Sequence, residues 1–315
     1  MNMLLKVKLL IYSVSILFCF CLLLPARAAV LYFDFPVKNY APGDTAVADI
    51  RLRVGSEEKI NAVEAKINIP QDFFVSVDFS NGNSLLTFVV PPAIDLKNGN
   101  IEFYGIIPGG YGGSALVDQN SDNLLGRLIM RLKDDIPMGT SSFKFSYGSK
   151  VYLHDGLGTL GVLTFENGEI NIVPKSQKAI DLWGDEIKHD RISPEPFIPD
   201  IVKLDNNWFA VFMAEDKETG IDHYEMSETR DTRIWGKIFL NKPKWQKVES
   251  PYLLKDQSLM SRIIVKAVDK AGNETTEEIP AKNSLPWYTD VGILEVVGIV
   301  IAFVLIYLIW RKKRV

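Results

Sequence analysis

The chain has 315 residues, 47% of them hydrophobic, and a formal net charge of −4 from 35 basic and 39 acidic side chains. This acidic balance leaves no broad basic surface and so excludes nucleic acid as the expected partner. Its three histidines, His154, His189 and His223, lie far apart in the sequence and show no metal-ligand spacing.

Residues 1–29 have the features of a signal peptide. Lysines precede an apolar run over Leu9–Leu24, and the small residues Ala26, Ala28 and Ala29 follow it. Cleavage is expected after Ala28 or Ala29. An uncleaved anchor helix is the alternative, and lipid attachment through Cys21 lacks the small residues that should precede a lipidated cysteine. Because Cys19 and Cys21 both fall in this segment, the mature chain is expected to depend on packing and not on disulfides.

Residues 30–174 predict an antiparallel β-sandwich. Short alternating or β-branched runs are separated by turn residues such as Pro42-Gly43 and Asn98-Gly99, and no long amphipathic helix is visible. The predicted strands are Val30–Phe35, Thr45–Val54, Ala62–Ile69, Leu85–Val90, Ile101–Ile107, Leu124–Leu132, Ser142–Tyr147 and Glu169–Val173.

A second domain is expected over residues 200–282, after a proline-containing linker over 175–199. Its predicted strands are Trp208–Ala214, His223–Ser227, Trp245–Val248 and Arg262–Asp269. Strands of this length and spacing in about 85 residues suit a small immunoglobulin-like or fibronectin-type sandwich.

A transmembrane helix is predicted over residues 289–310. The run Val291–Trp310 is apolar apart from Glu295, and twenty helical residues match the ~30 Å hydrocarbon core of a bilayer. The basic residues that follow set the expected membrane orientation: Arg311, Lys312, Lys313 and Arg314. Under the positive-inside rule the tail 311–315 is cytoplasmic and the N-terminal region is extracellular, as in a single-pass protein of the cell membrane.

The first domain resembles the cohesin domains of bacterial cell-surface and scaffold proteins. The motifs that carry the resemblance are Tyr40–Thr45, Ile60–Pro70, Ile101–Gly113, Leu125–Leu128 and Val151–Thr159. The resemblance implies a jelly-roll sandwich, a fold shared with some carbohydrate-binding modules, and a dockerin-like protein or a polysaccharide as partner.

The second domain resembles bacterial immunoglobulin-like or fibronectin-type repeats through Thr219–Glu225, Ser250–Leu254 and Val265–Asn273. Such modules commonly act as spacers. The fold class is therefore all-β: a cohesin-like sandwich, a smaller immunoglobulin-like sandwich and one C-terminal transmembrane helix.

Two tyrosines are candidate ligand-binding residues, because aromatic rings can stack on the face of a sugar. Tyr104 lies in a predicted strand, where burial is equally plausible. Tyr111 lies in the glycine-rich run 108–114, which predicts a flexible loop, so we expect it to be the better exposed of the two.

A weak calcium motif occurs at Asp118, Asn120 and Asp122, whose alternating oxygens match the start of a calcium loop. The pattern then fails, because Asn123 stands where a glycine is needed and Ile129 where a glutamate should follow. A solvated loop is the competing interpretation, and no other cofactor is expected.

No catalytic motif is apparent, and the chain is not expected to be an enzyme. His154 and Asp155 are adjacent without a paired nucleophile, and Asp155-Gly156 suits a turn. The leading hypothesis is a membrane-anchored extracellular binding or adhesion protein whose cohesin-like domain binds a carbohydrate or a protein. The alternative is a structural subunit of a cell-envelope assembly, and a polysaccharide hydrolase ranks below both.

Overall fold

The computed structural model describes residues 28–55, 58–87, 91–112, 123–175 and 180–312, so the predicted signal peptide lies almost wholly outside the described residues. The chain divides into two compact units. The first comprises the described residues up to Phe79 and from Ser84 to Ile180, and the second comprises Ser80–Asn83 and the residues from Asp181 onward.

The first unit is built from twelve strands in the described residues. They are β1 (Ala29–Asp34), β2 (Asn39–Tyr40), β3 (Thr45–Arg53), β4 (Ile60–Asn68), β5 (Phe74–Ser80), β6 (Ala93–Asp95), β7 (Asn100–Tyr111), β8 (Leu124–Leu132), β9 (Gly139–Phe145), β10 (Lys150–Leu153), β11 (Leu163–Glu166) and β12 (Gly168–Ile172). One sheet has the order β11-β1-β3-β8-β5, and the other has the order β2-β12-β9-β4-β7-β6, with β10 also paired to β4. Most neighbouring strands run antiparallel. The pairs β1–β11 and β2–β12 run parallel.

The two sheets enclose one hydrophobic core, because alternate residues along each strand project to the same face. In β7, for example, Ile101, Phe103 and Ile107 are buried. Phenylalanines fill much of the core, and the ring of Phe79 occupies the space next to Gly126, where a Cβ would lie only 2.0 Å from it. A sandwich without disulfides therefore gains its stability from close packing of large apolar side chains.

The second unit begins with a helix and continues as short sheets. Its elements are α1 (Leu182–His189), β13 (Asp200–Leu204), β14 (Asn207–Val211), β15 (Ile221–Thr229), β16 (Thr232–Ile234), β17 (Lys237–Phe239), β18 (Gln246–Val248), β19 (Tyr252–Leu253), β20 (Arg262–Asp269), β21 (Glu274–Ile279), a 3₁₀ turn (Trp287–Thr289) and α2 (Val291–Lys312). The sheet orders are β13-β14-β19 and β18-β15-β20-β21, and β16 and β17 form a separate hairpin.

A second core lies between the three-stranded and four-stranded sheets. Phe212, Met226 and Val265 are buried in it, and the Tyr224 ring packs against Phe212 with centroids 5.0 Å apart. Burial raises the pKa of Tyr224, although its hydroxyl oxygen accepts a hydrogen bond from the Ala214 N–H at 2.8 Å.

The all-β prediction with one apolar C-terminal helix is confirmed. The segment 175–199, predicted to be a linker, contains the helix α1, which the sequence did not predict. Asp181 caps this helix by accepting a hydrogen bond from the Gly184 N–H at 3.0 Å. The immunoglobulin-like assignment of the second unit and the domain boundaries remain predictions.

Candidate functional site

The outer surface of the seven-stranded sheet carries exposed apolar side chains near its centre. Tyr104 and Ile106 of β7 point away from the core, and each is 49% exposed. Ile106 is paired with Ala62 of β4, Ala62 is paired with Tyr152 of β10, and Tyr152 is bridged to the exposed Leu160. Because directly paired residues project from the same side of a sheet, these side chains share one surface.

We refer to this surface as the Tyr104 face, defined by Tyr104, Ile106, Tyr152 and Leu160. Charged side chains border it. Tyr104 is paired with Glu64 of β4, whose Oε2 accepts a hydrogen bond from Lys150 Nζ at 3.2 Å. This hydrogen bond raises the pKa of Lys150 and keeps its ammonium charged. An apolar centre with a charged rim is the usual anatomy of a protein-binding surface.

The turn that presents Leu160 is fixed by hydrogen bonds. Asp155 Oδ1 accepts from the Leu157 N–H at 2.8 Å, and the Leu153 N–H donates to the Thr159 carbonyl at 2.8 Å. The hydrogen bonds from Thr159 and Leu157 lower the pKa of Asp155, so the carboxylate stays ionised. The predicted turn at Asp155-Gly156 is therefore confirmed, and it holds apolar side chains in solvent.

The structure places Tyr111 differently from the sequence prediction. β7 continues through the glycines to Tyr111, whose backbone pairs with Ile60, so residues 108–111 are not a flexible loop. The Tyr111 side chain is partly buried and packs against the core of the first unit. Tyr104 is thus the more exposed of the two aromatic candidates.

The other predicted site residues fall at or beyond the limits of the described residues. Asp118, Asn120 and Asp122 lie outside them, as do Lys313 and Arg314. Arg311 and Lys312 form the last turn of α2.

Within the described residues, α2 is the one helix long and apolar enough to cross a membrane. It has 22 residues, and almost all of its side chains are exposed in the chain by itself. An apolar helix that packs against little of its own protein requires an apolar environment from elsewhere. The predicted span therefore exists as a helix, while its direction across a membrane remains a prediction.

Sequence reasoning missed three of the four residues that define the Tyr104 face. Ile106 was detectable, because strand alternation places it on the same side as Tyr104. Leu160 had only a weak signal, an apolar residue in a glycine-rich turn. Tyr152 had no signal in the sequence, because its position beside Ala62 depends on the pairing of strands far apart in the chain.

The solved structures that are similar to this chain are cohesin domains, the family that the sequence motifs resemble. A non-cellulosomal cohesin from the archaeon Archaeoglobus fulgidus is 15% identical, with a TM-score of 0.37, over 48% of this chain and 94% of that chain. The seventh ScaB type I cohesin from Pseudobacteroides cellulosolvens is 12% identical, with a TM-score of 0.36, over 47% of this chain and 94% of that chain. A chain of a cohesin–dockerin complex from Clostridium thermocellum, Coh-OlpC–Doc435, is 13% identical, with a TM-score of 0.36, over 47% of this chain and 96% of that chain.

No protein-family model and no curated protein matches the chain. The similarity to solved structures thus concerns the fold of about half of the chain.

Proposed function

We propose that this chain is a membrane-anchored binding protein whose first unit binds a protein partner of the dockerin type through the Tyr104 face. The carrying observation is the cross-strand row that places the exposed Ile106 and the partly buried Tyr152 beside the exposed Tyr104. The resemblance of the sequence motifs to cohesins supplies the class of partner. The unit acts as a binding module and not as an enzyme.

The chemistry of the face suits a protein partner. Exposed apolar side chains gain free energy when a partner removes them from water, and tyrosines are frequent anchors of protein interfaces. The Lys150–Glu64 pair and the Lys66–Glu102 pair, with Nζ to Oε2 distances of 3.2 Å, offer charges at the rim that orient a partner.

The membrane anchor of the proposal is α2, with the predicted signal peptide directing the two units to the outside. The sheets of the second unit lie between the first unit and α2 in the sequence and act as a spacer. In this arrangement the chain displays its binding face at the cell surface.

The test uses the full chain in nanodiscs and a panel of dockerin-type domains, with binding measured by surface plasmon resonance. Ile106→Asp is expected to weaken binding about 100-fold or more, as loss of a central interface anchor does. Val75→Asp is the matched control, because Val75 is a 64% exposed apolar residue on β5 of the other sheet. Equal affinities for the two variants would contradict the proposed face, and binding to no dockerin-type domain would contradict the partner class.

A carbohydrate ligand is the second candidate, and the exposed ring of Tyr104 favours it. Stacking of a sugar on this ring predicts that Tyr104→Ala abolishes retention of a polysaccharide in affinity electrophoresis, while Tyr111→Ala leaves it unchanged. If the wild-type chain retains no polysaccharide from a broad panel, the carbohydrate candidate is dropped.

A further inference from the structure

Three buried carboxylates meet in the second unit. Asp190 follows α1, Asp216 lies in the loop after β14, and Asp269 ends β20. One carboxylate oxygen from each lies within 4.8 Å of those of the other two. The residues are 1%, 4% and 2% exposed respectively, so water solvates the three charges poorly.

Two of these carboxylates are held in place by neighbouring donors. Asp190 Oδ2 accepts from the Thr219 hydroxyl at 2.6 Å and from the Thr219 N–H at 3.2 Å. Asp269 accepts from the Asn273 N–H and from Asn273 Nδ2, both at 2.8 Å. These partners are neutral, and a carboxylate oxygen keeps a second lone pair that can bind a cation.

Only one of the two carboxylate oxygens of Asp216 has hydrogen-bond partners among the described residues. Its Oδ2 accepts from the Gly220 N–H at 2.7 Å and from the Glu218 N–H at 3.1 Å. Its Oδ1 is buried and has no hydrogen-bond partner among the residues that the structure describes. A buried charged oxygen without a partner is costly, so its presence points to a ligand that supplies positive charge.

The described residues supply no such charge. In the described part of the chain, none of the three carboxylates forms an ion pair with a lysine, an arginine or a histidine. The three carboxylates are buried and approach one another within 4.8 Å, so their charges repel each other and are poorly solvated. A cation bound among the carboxylates would offset both the burial and the mutual repulsion.

We propose that Asp190, Asp216 and Asp269 bind one calcium ion. All of the candidate ligand atoms are carboxylate oxygens, which suit hard cations, whereas structural zinc sites and copper sites are built mainly from nitrogen and sulfur ligands. Three carboxylates favour Ca²⁺ over Mg²⁺, which usually binds through one or two and keeps several of its waters. None of its residues belongs to the weak sequence motif at residues 118–122.

The bound ion would join three segments that are distant in the sequence: the end of α1, the loop after β14 and the end of β20. A ligand that binds only the folded state stabilises it in proportion to the logarithm of its free concentration. Calcium is therefore a structural ligand of the second unit, independent of what the Tyr104 face binds.

The test is calcium binding by the full chain in detergent micelles after treatment with a chelator, measured by isothermal titration calorimetry and by equilibrium dialysis with radioactive calcium. One ion per chain is expected, with a Kd between about 10⁻⁶ and 10⁻³ M, and weaker binding of Mg²⁺. Asp216→Asn should weaken calcium binding at least tenfold. Asp185→Asn is the matched control, because Asp185 is an exposed carboxylate in the first turn of α1.

Stability measurements keep the test decisive if a variant folds poorly. Calcium should raise the Tm of the wild type and leave that of Asp216→Asn nearly unchanged. In the presence of chelator, Asp216→Asn should be at least as stable as the wild type, because the substitution removes a buried unpaired charge. Failure to bind millimolar calcium overturns the proposal, as does calcium binding that survives Asp216→Asn but is lost in Asp118→Asn.

Discussion

Asp290 accepts a hydrogen bond from the backbone N–H of Trp235 at 2.8 Å and thereby ties the turn of the β16–β17 hairpin to the first residues of α2. The same carboxylate accepts from the Gly236 N–H at 2.6 Å and from the Gly292 N–H at 3.0 Å. One side chain thus caps the apolar helix and fixes the hairpin beside it.

Removing this carboxylate should release the hairpin. We expect Asp290→Ala to raise the hydrogen-exchange rates of the Trp235 and Gly236 amides at least about tenfold in the full chain in nanodiscs, since each loses its acceptor. Glu249→Ala, at an exposed position of the same unit, should not change them. Unchanged exchange at both amides in Asp290→Ala would show that other contacts hold the hairpin.

The hairpin is also expected to contact lipid. Trp235, Ile238, Phe239 and Leu240 are exposed, and Trp235 packs so closely on Gly292 that a Cβ there would lie 2.6 Å from the indole ring. Aromatic rings next to a membrane span favour the headgroup region. Brominated lipids should therefore quench less of the tryptophan fluorescence in Trp235→Phe than in the wild type, while Trp183→Phe, at a buried position in α1, should leave the quenched part unchanged. Equal quenching in the wild type and Trp235→Phe would place this ring away from lipid.

The sequence did not reveal this hairpin, for a physical reason. Its turn is Trp235-Gly236, and both residues have positive φ, 50° for Trp235 and 77° for Gly236. Because tryptophan rarely adopts a positive φ, the sequence Trp235-Gly236 does not predict a turn. Tertiary contacts to Asp290 and Gly292 impose the turn conformation. Local patterns predicted most strands of the first unit correctly, because their alternation follows from a buried and an exposed face.

The carboxylate cluster was equally invisible in the sequence. Asp190, Asp216 and Asp269 stand in three separate segments, and none has a metal-ligand neighbour at a recognisable spacing. Only the pairing of β15 with β20 and the folding of the loop after β14 bring them together. α1 was missed because eight residues of mixed charge carry little periodic signal.

Within the first unit, Asp49 should be a major determinant of stability. This buried carboxylate accepts hydrogen bonds from Arg127 Nε at 2.6 Å and from Arg51 Nη2 at 2.7 Å. Asp49→Asn leaves two guanidinium groups without their shared counter-charge and should lower the free energy of unfolding by about 3 kcal/mol. Hydrogen exchange of the β3 amides measures this loss.

The matched control for Asp49 is an exposed ion pair on the same sheet. Arg53 Nη1 and Glu166 Oε1 lie 2.9 Å apart in solvent, so Glu166→Gln should cost less than about 1 kcal/mol. If the two variants lose similar stability, the ion pairs around Asp49 contribute no more than surface pairs.

Acid should weaken the second unit through Asp256. Burial alone would raise the pKa of Asp256, but hydrogen bonds from Ser258, Ser261 and Arg230 outweigh it and hold this pKa well below its ordinary value of 3.8. The folded pKa is therefore lower than the unfolded one. The stabilisation is present above about pH 3.8 and is lost as the pH falls through the folded pKa.

The measurement compares the wild type with Asp256→Asn in urea unfolding between pH 7 and pH 2.5. The wild type should be more stable at pH 7, and the difference should shrink below about pH 4. A difference that stays constant over this range would show that the Asp256 charge does not contribute.

The direction of the chain across the membrane can be tested with single cysteines, because Cys19 and Cys21 both lie in the predicted signal peptide. In intact cells a membrane-impermeant maleimide should label Ser284→Cys but not Val315→Cys, whereas permeabilised cells should label both. The wild type should not react, since the cleaved chain has no cysteine. Labelling of Val315→Cys in intact cells would reverse the predicted orientation.

The strands that end the sheets of the first unit limit how copies of this chain associate. Four of the five end strands among the described residues are short, with two residues in β2, three in β6 and four each in β10 and β11. Unpaired backbone groups along a long edge would allow one sheet to continue into a neighbouring copy. Short edges give such pairing little length, so neighbouring copies of this chain resist fusing into shared sheets. A lattice of these proteins, as a structural subunit would form, would have to be held together mainly by side chains.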